Sequence, residues 1–215
     1  MIKLFKKYPN LKNAYLFLLK YNKSNGNTYH GINHLLSVTY NSWEIIRSMH
    51  ELYHFDIILN EEELLIASMF HDFNHTGKIG PDSVNIKLAI DGVNEFIIAN
   101  NLSNDLNCDV IINIIKSTEF PYKNIPNSIL ECIIRDADMA YVYNDINFMS
   151  FSNFGLGSEY NKFNNVNDIK SWIEGQMQFI NNMECYTEYA KKLWSIRKPE
   201  LIDFLTNIIS DFNIV

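Results

Sequence analysis

Apolar residues recur at three- and four-residue intervals along most of the chain, which is the period of an amphipathic helix. Residues 11–20 place Leu11, Ala14, Tyr15, Leu18 and Leu19 on one stripe. Residues 33–49 do the same with His34, Val38, Trp43, Ile45, Ile46 and Met49. Segment 61–72 opens with Glu61, Glu62 and Glu63, acids that suit the positive end of a helix, and then runs apolar into His71-Asp72. The spacing predicts further helices over 84–100, 105–117 and 127–143. A stretch rich in Gly, Ser and Asn, 152–168, is expected to be irregular, as is 73–83. Beyond it, helices are predicted over 169–183, 185–196 and 199–210, with Pro199 at the first position of the last. No alternating run is bounded by Asn-Gly or Asp-Gly, and the β-branched residues lie on helical stripes. With no repeat and no composition break, residues 1–215 read as one all-α domain, a single helical bundle.

Composition narrows the function. Apolar residues are 47% and charged residues 20% of the chain, a globular balance. The net charge of −7 weighs against nucleic-acid polymers, which demand a basic footprint. No apolar run approaches the roughly 20 residues that span a bilayer, so no membrane partner is expected. The N-terminal MIKLFKKYPN lacks the apolar core of a signal peptide, and the three cysteines are scattered. Together these predict a cytoplasmic protein, or one in the host cytoplasm if the source is a virus. The many Asn and Ile residues read as base-composition background.

Candidate chemistry lies in the histidines. Four of the six fall in two short segments, YHGINH (His30, His34) and HDFNH (His71, His75). In each, the two rings are four residues apart and share a helix face. His50 and His54 have the same spacing but no accompanying motif, and read as ordinary structural residues. A divalent metal needs imidazoles and carboxylates converging from separate elements. His71 and Asp72 supply two donors, His34 a third, and a later buried acid is required. Asp136 and Asp138 interrupt an apolar run, ILECIIRDADMAYVY, and either is a candidate, because a buried carboxylate is costly unless paired or coordinating.

This order, His, then His-Asp, then Asp, resembles the HD-domain metal-dependent phosphohydrolases, and in finer detail the class I cyclic nucleotide phosphodiesterases. Tyr29-His30-Gly31-Ile32-Asn33-His34 with Val38 is similar to the family's first motif except at Gly31, where the family has Asn. His71-Asp72-Phe73-Asn74-His75-Thr76-Gly77 followed by Asn85 is similar to the second. Ala137-Asp138-Met139 resembles the step that carries the last ligand, and Gln176-Met177-Gln178-Phe179 the Gln-x-x-Phe that holds a nucleobase. The resemblance covers about residues 29–179. The family domain is longer, and its block of acids and histidines after Asn85 has no counterpart, so one supporting carboxylate is left unassigned.

The resemblance implies that His34, His71, Asp72 and Asp138 bind metal, with Asp72 bridging two divalent ions (Zn, Mg, Mn or Fe). It implies that His30 is the general acid, assisted by His75, and that Asn85, Gln176 and Phe179 contact substrate. The expected activity is hydrolysis of a 3′,5′-cyclic purine nucleotide to the 5′-nucleotide by a metal-bridging hydroxide. The alternatives are hydrolysis of a cyclic dinucleotide or another nucleotide phosphoester, and a catalytically silent nucleotide-binding module.

Overall fold

The computed structural model describes residues 1–53 and 60–212. Among these there are eleven α-helices, one 3₁₀ turn (Lys23–Gly26) and no strand, so the all-α expectation holds. The helices are α1 (Ile2–Lys7), α2 (Pro9–Tyr21), α3 (Ile32–Tyr53), α4 (Glu61–Phe70), α5 (Ser83–Ala99) and α6 (Cys108–Lys116). They continue with α7 (Ile129–Asp138), α8 (Ala140–Tyr143), α9 (Ile146–Glu159), α10 (Val166–Asn182) and α11 (Glu188–Phe212). No helix of the described residues is long and apolar enough to cross a membrane.

Helix α4 is the axis of the first half. Every residue from Leu64 to Phe70 is buried, as for a helix enclosed on all sides, and α2, α3, α5, α6 and α7 pack around it. Its one interior hydroxyl, Ser68, pairs with Ser42 of α3 at 2.8 Å, so that hydroxyl is not stranded. A second cluster of buried side chains, including Tyr143, Met149, Ile180, Trp194, Leu201 and Leu205, joins α8 to α11. The first cluster ends at Ala137 and the second begins at Ala140, so Asp138 stands at their junction.

Local chemistry fixes the helix starts. Ser128 Oγ accepts from Glu131 N at 3.2 Å while Glu131 Oε2 accepts from Asn127 N at 2.8 Å, a reciprocal closure of the first turn of α7. Asn107 and Asn165 accept from Val110 N and Asp168 N and so cap α6 and α10.

Three expectations need correction. Residues 152–168 are not irregular, since α9 runs through to Glu159 and only 160–165 separate it from α10. The glycines there serve packing: a Cβ at Gly155 would stand 2.9 Å from the Thr28 carbonyl, whose hydroxyl donates to Gly155 O at 2.8 Å. The two helices predicted at 185–196 and 199–210 are one, α11, with Pro199 in its interior rather than at its start. Ala190 and Trp194 on one side of the proline and Leu201 and Leu205 on the other are all buried, and that packing outweighs the roughly 3 kcal/mol an interior proline costs. The predicted 127–143 helix divides at Met139 into α7 and α8.

Candidate metal centre

Three helix termini meet at the junction of the two clusters. His34 lies in the first turn of α3, His71 and Asp72 directly follow α4, and Asp138 is the last residue of α7. Two of these are C-terminal helix ends, where the backbone dipoles favour a cation. His34 Nε2 is 3.2 Å from His71 Nε2, 3.2 Å from Asp72 Oδ2 and 3.2 Å from Asp138 Oδ1. His71 Nε2 is 3.2 Å from Asp72 and 3.6 Å from Asp138. Behind it, His71 Nδ1–H donates to the Ser68 carbonyl at 2.8 Å, which fixes the tautomer that turns the Nε2 lone pair inward.

The two carboxylates favour positive charge at this point, whether on the rings or on a cation that displaces their protons. Burial lowers the His34 imidazole, but the Asp138 and Asp72 carboxylates outweigh it and raise it above its usual value. His71 is raised further, with Asp72 the leading partner against burial. Conversely, burial works against the ionised Asp72 and Asp138, yet the two imidazoles hold both carboxyls well below the usual range. Two carboxylates and two imidazole nitrogens, converging from three elements, suit a borderline divalent ion such as zinc.

The sequence leaves Asp136 and Asp138 open, and the structure separates them. Asp136 turns away, its carboxylate accepting from Tyr186 N at 2.9 Å and Thr187 N at 2.6 Å, and so anchors the start of α11. Burial pushes its carboxyl up to about 6 despite these bonds. Asp136→Ala is therefore expected to cost about 2 kcal/mol in urea unfolding, by uncapping α11, while metal content is unchanged.

Beside these candidate donors stands a second group, His30, His75 and Glu159. Glu159 Oε1 is 2.6 Å from His30 Nδ1, and Oε2 accepts from Tyr29 N at 2.8 Å and His30 N at 3.1 Å. The His30 ring stacks on His75, centroids 3.6 Å apart. His75 Nδ1 accepts from Gly77 N at 3.1 Å and its Nε2 meets Asn85 Nδ2 at 2.9 Å. Burial pushes His75 down to about 4, so its ring is neutral near pH 7. With these donor atoms already engaged, the group serves to hold His30, and His30 Nε2 has no protein partner among the described residues.

Asn85, expected at the substrate, is buried beneath His75, accepts from Thr76 N at 3.1 Å and donates to Asp82 at 3.0 Å. It positions the 71–77 turn. Gln176 borders a cavity walled by Trp172, Ile173, Phe204 and Ile208, whereas Phe179 meets Phe120 with ring centroids 6.1 Å apart. His50 Nε2 lies 2.9 Å from Glu61, an ordinary surface pairing, and His54 lies outside the described residues.

Sequence reasoning missed Glu159, although it is the only acid between Asp145 and Asp168. It also missed the asparagines. Asn22 Oδ1 accepts from Asn74 N at 2.7 Å, Asn74 Oδ1 accepts from Lys23 N at 2.7 Å, and Asn27 donates to the His75 carbonyl at 3.1 Å. These bonds knit segment 22–31 to segment 71–77, so asparagines read as background do structural work at the site. Gly31, the departure from the resembled motif, has its own reason, since a Cβ there would stand 2.8 Å from the Asn27 carbonyl. Comparison with protein-family models and with curated proteins gives no match, so the reading of this centre rests on its residues and their geometry.

Proposed function

We propose that the chain is a metal-dependent phosphoric diester hydrolase of the HD type, cleaving a 3′,5′-cyclic purine nucleotide to the 5′-nucleotide. The observation that carries the reading is the convergence of His34, His71, Asp72 and Asp138, with His34 Nε2 3.2 Å from a donor atom of each of the other three. His34, His71, Asp72 and Asp138 would hold divalent ions, which would supply a nucleophile at neutral pH and offset the charge of a phosphodiester that an acidic protein otherwise repels. His30 carries a proton to the departing 3′ oxygen. Glu159, 2.6 Å from His30 Nδ1, fixes the ring and which nitrogen faces the substrate. His75, neutral and stacked on His30, holds that ring in place. The engaged His30–Glu159 pair weighs against a silent binding module.

A second reading, hydrolysis of a cyclic dinucleotide or another nucleotide phosphoester, is favoured by one observation: Gln176 borders a cavity with Trp172 and Phe204, while Phe179 meets Phe120. Such an enzyme uses the same metal donors and needs no shared Gln–Phe wall. The deciding experiment incubates metal-loaded protein with a panel of cyclic mono- and dinucleotides and resolves the products by chromatography. The first reading expects a 5′-mononucleotide from a cyclic purine mononucleotide, with Gln176→Ala raising KM more than it lowers kcat and Gln178→Ala, at an exposed position, silent. A linear dinucleotide as sole product selects the second reading, and no turnover of any member rejects hydrolysis of both cyclic mono- and dinucleotides.

A further inference from the structure

A cavity of about 420 Å³ opens along α7 and the end of α6, and none of its lining residues belongs to either histidine group. Its floor is Arg135, only 4% exposed. The guanidinium donates through Nε to the Ser117 carbonyl and through Nη1 to the Asn124 carbonyl, each at 2.7 Å, and lies 4.2 Å from the Tyr122 ring centroid. Among the described residues no carboxylate comes within ion-pairing distance of it, and its neighbour Asp136 is committed to the start of α11. Carbonyls satisfy two of its N–H groups but do not neutralise its charge, and an uncompensated buried cation is costly. Nη2 has no protein acceptor among the described residues.

The two acids that line the cavity are also committed. Glu119 pairs with Lys123, and Glu131 accepts from Asn127 N at 2.8 Å. Lys116, in the last turn of α6, is exposed and has no acidic partner among the described residues. The Glu131 hydrogen bond leaves its charge in place, so the cavity walls carry three cations, Lys116, Lys123 and Arg135, against two acids, a surplus of one positive charge on a chain of net charge −7. The remaining Nη2 of the guanidinium, with an ammonium lining the same cavity, suits a phosphate group. The volume exceeds what an isolated phosphate fills and lies within the roughly 300–1,000 Å³ range of small-molecule sites. Asn113 and Asn127 on the same walls offer amides that both donate and accept, as the polar edge of a ring requires.

We propose that this cavity is a second small-molecule site, taking a phosphate monoester the size of a nucleoside monophosphate, with Arg135 and Lys116 on its phosphate and the two asparagines on its ring. The assignment is independent of the metal centre, because no residue is shared. The test is calorimetric titration of the EDTA-treated full chain with AMP, beside adenosine and inorganic phosphate. Saturable AMP binding is expected, with adenosine and inorganic phosphate each weaker. Lys116→Glu is expected to weaken AMP about tenfold or more with the melting temperature lowered by only a few degrees, since it removes a charge-assisted contact at an exposed position in the last turn of α6. Absence of saturable AMP binding overturns the proposal and leaves Arg135 as a staple for segment 117–124. Equal AMP affinity in Lys116→Glu, or inorganic phosphate binding as tightly as AMP, overturns it as well.

Discussion

Asp138→Ala is expected to strip the divalent ion and the hydrolytic activity together while the helical fold survives. The carboxylate belongs to the last residue of α7 and reaches both imidazoles, 3.2 Å from His34 Nε2 and 3.6 Å from His71 Nε2. Groups that merely support a ligand are worth about 10–100-fold in metal affinity, so loss of a direct donor should exceed that. Backbone bonds of α7 do not depend on this side chain, and its reciprocal cap lies at the other end, at Ser128 and Glu131. Far-UV circular dichroism should therefore match the parent while metal content after gel filtration drops to background. Asp136→Ala supplies the contrast, with lower stability and full metal content. Full occupancy in Asp138→Ala would remove Asp138 from the ligand set, and Asp136 would not replace it, because both of its oxygens are bonded to the start of α11.

How much of this was legible in the sequence follows from the range of the forces involved. Helical periodicity is local, so α2, α3, α5 and α10 are readable from their apolar stripes. The pairing of His71 with Asp72 is local too, and the buried run around Asp136 and Asp138 announces that a carboxylate there needs a partner. Which of the two joins His34 and His71 is not local. It depends on α7 ending at Asp138, with Asp136 two residues earlier turned toward Tyr186 and Thr187, which lie about fifty residues further along the chain. Glu159 is hidden for the same reason, since its partner His30 is 129 residues away. The glycines of α9 misled because glycine disfavours an isolated helix. Here Gly155 permits the approach to Thr28 that brings Glu159 to His30, so tertiary packing overrides propensity.

His30→Ala is expected to keep its metal and lose about 10²–10⁴-fold in turnover on a substrate with a poor leaving group. The ring is near the donors without being one of them, its centroid 5.9 Å from that of His34 and its Nδ1 taken by Glu159 at 2.6 Å. An alanine there removes the proton donor and leaves His34, His71, Asp72 and Asp138 as they were. A nitrophenyl phosphodiester, whose leaving group departs without protonation, should recover much of the loss. Glu159→Gln is the finer probe, because the amide keeps the shape and removes the carboxylate that holds His30 Nδ1. Its turnover should fall by about tenfold or more on the poor leaving group and change little on the nitrophenyl ester. Equal losses on both substrates in His30→Ala would mean that His30 serves the nucleophile or the metal rather than the leaving group, and the general-acid assignment would fall with them.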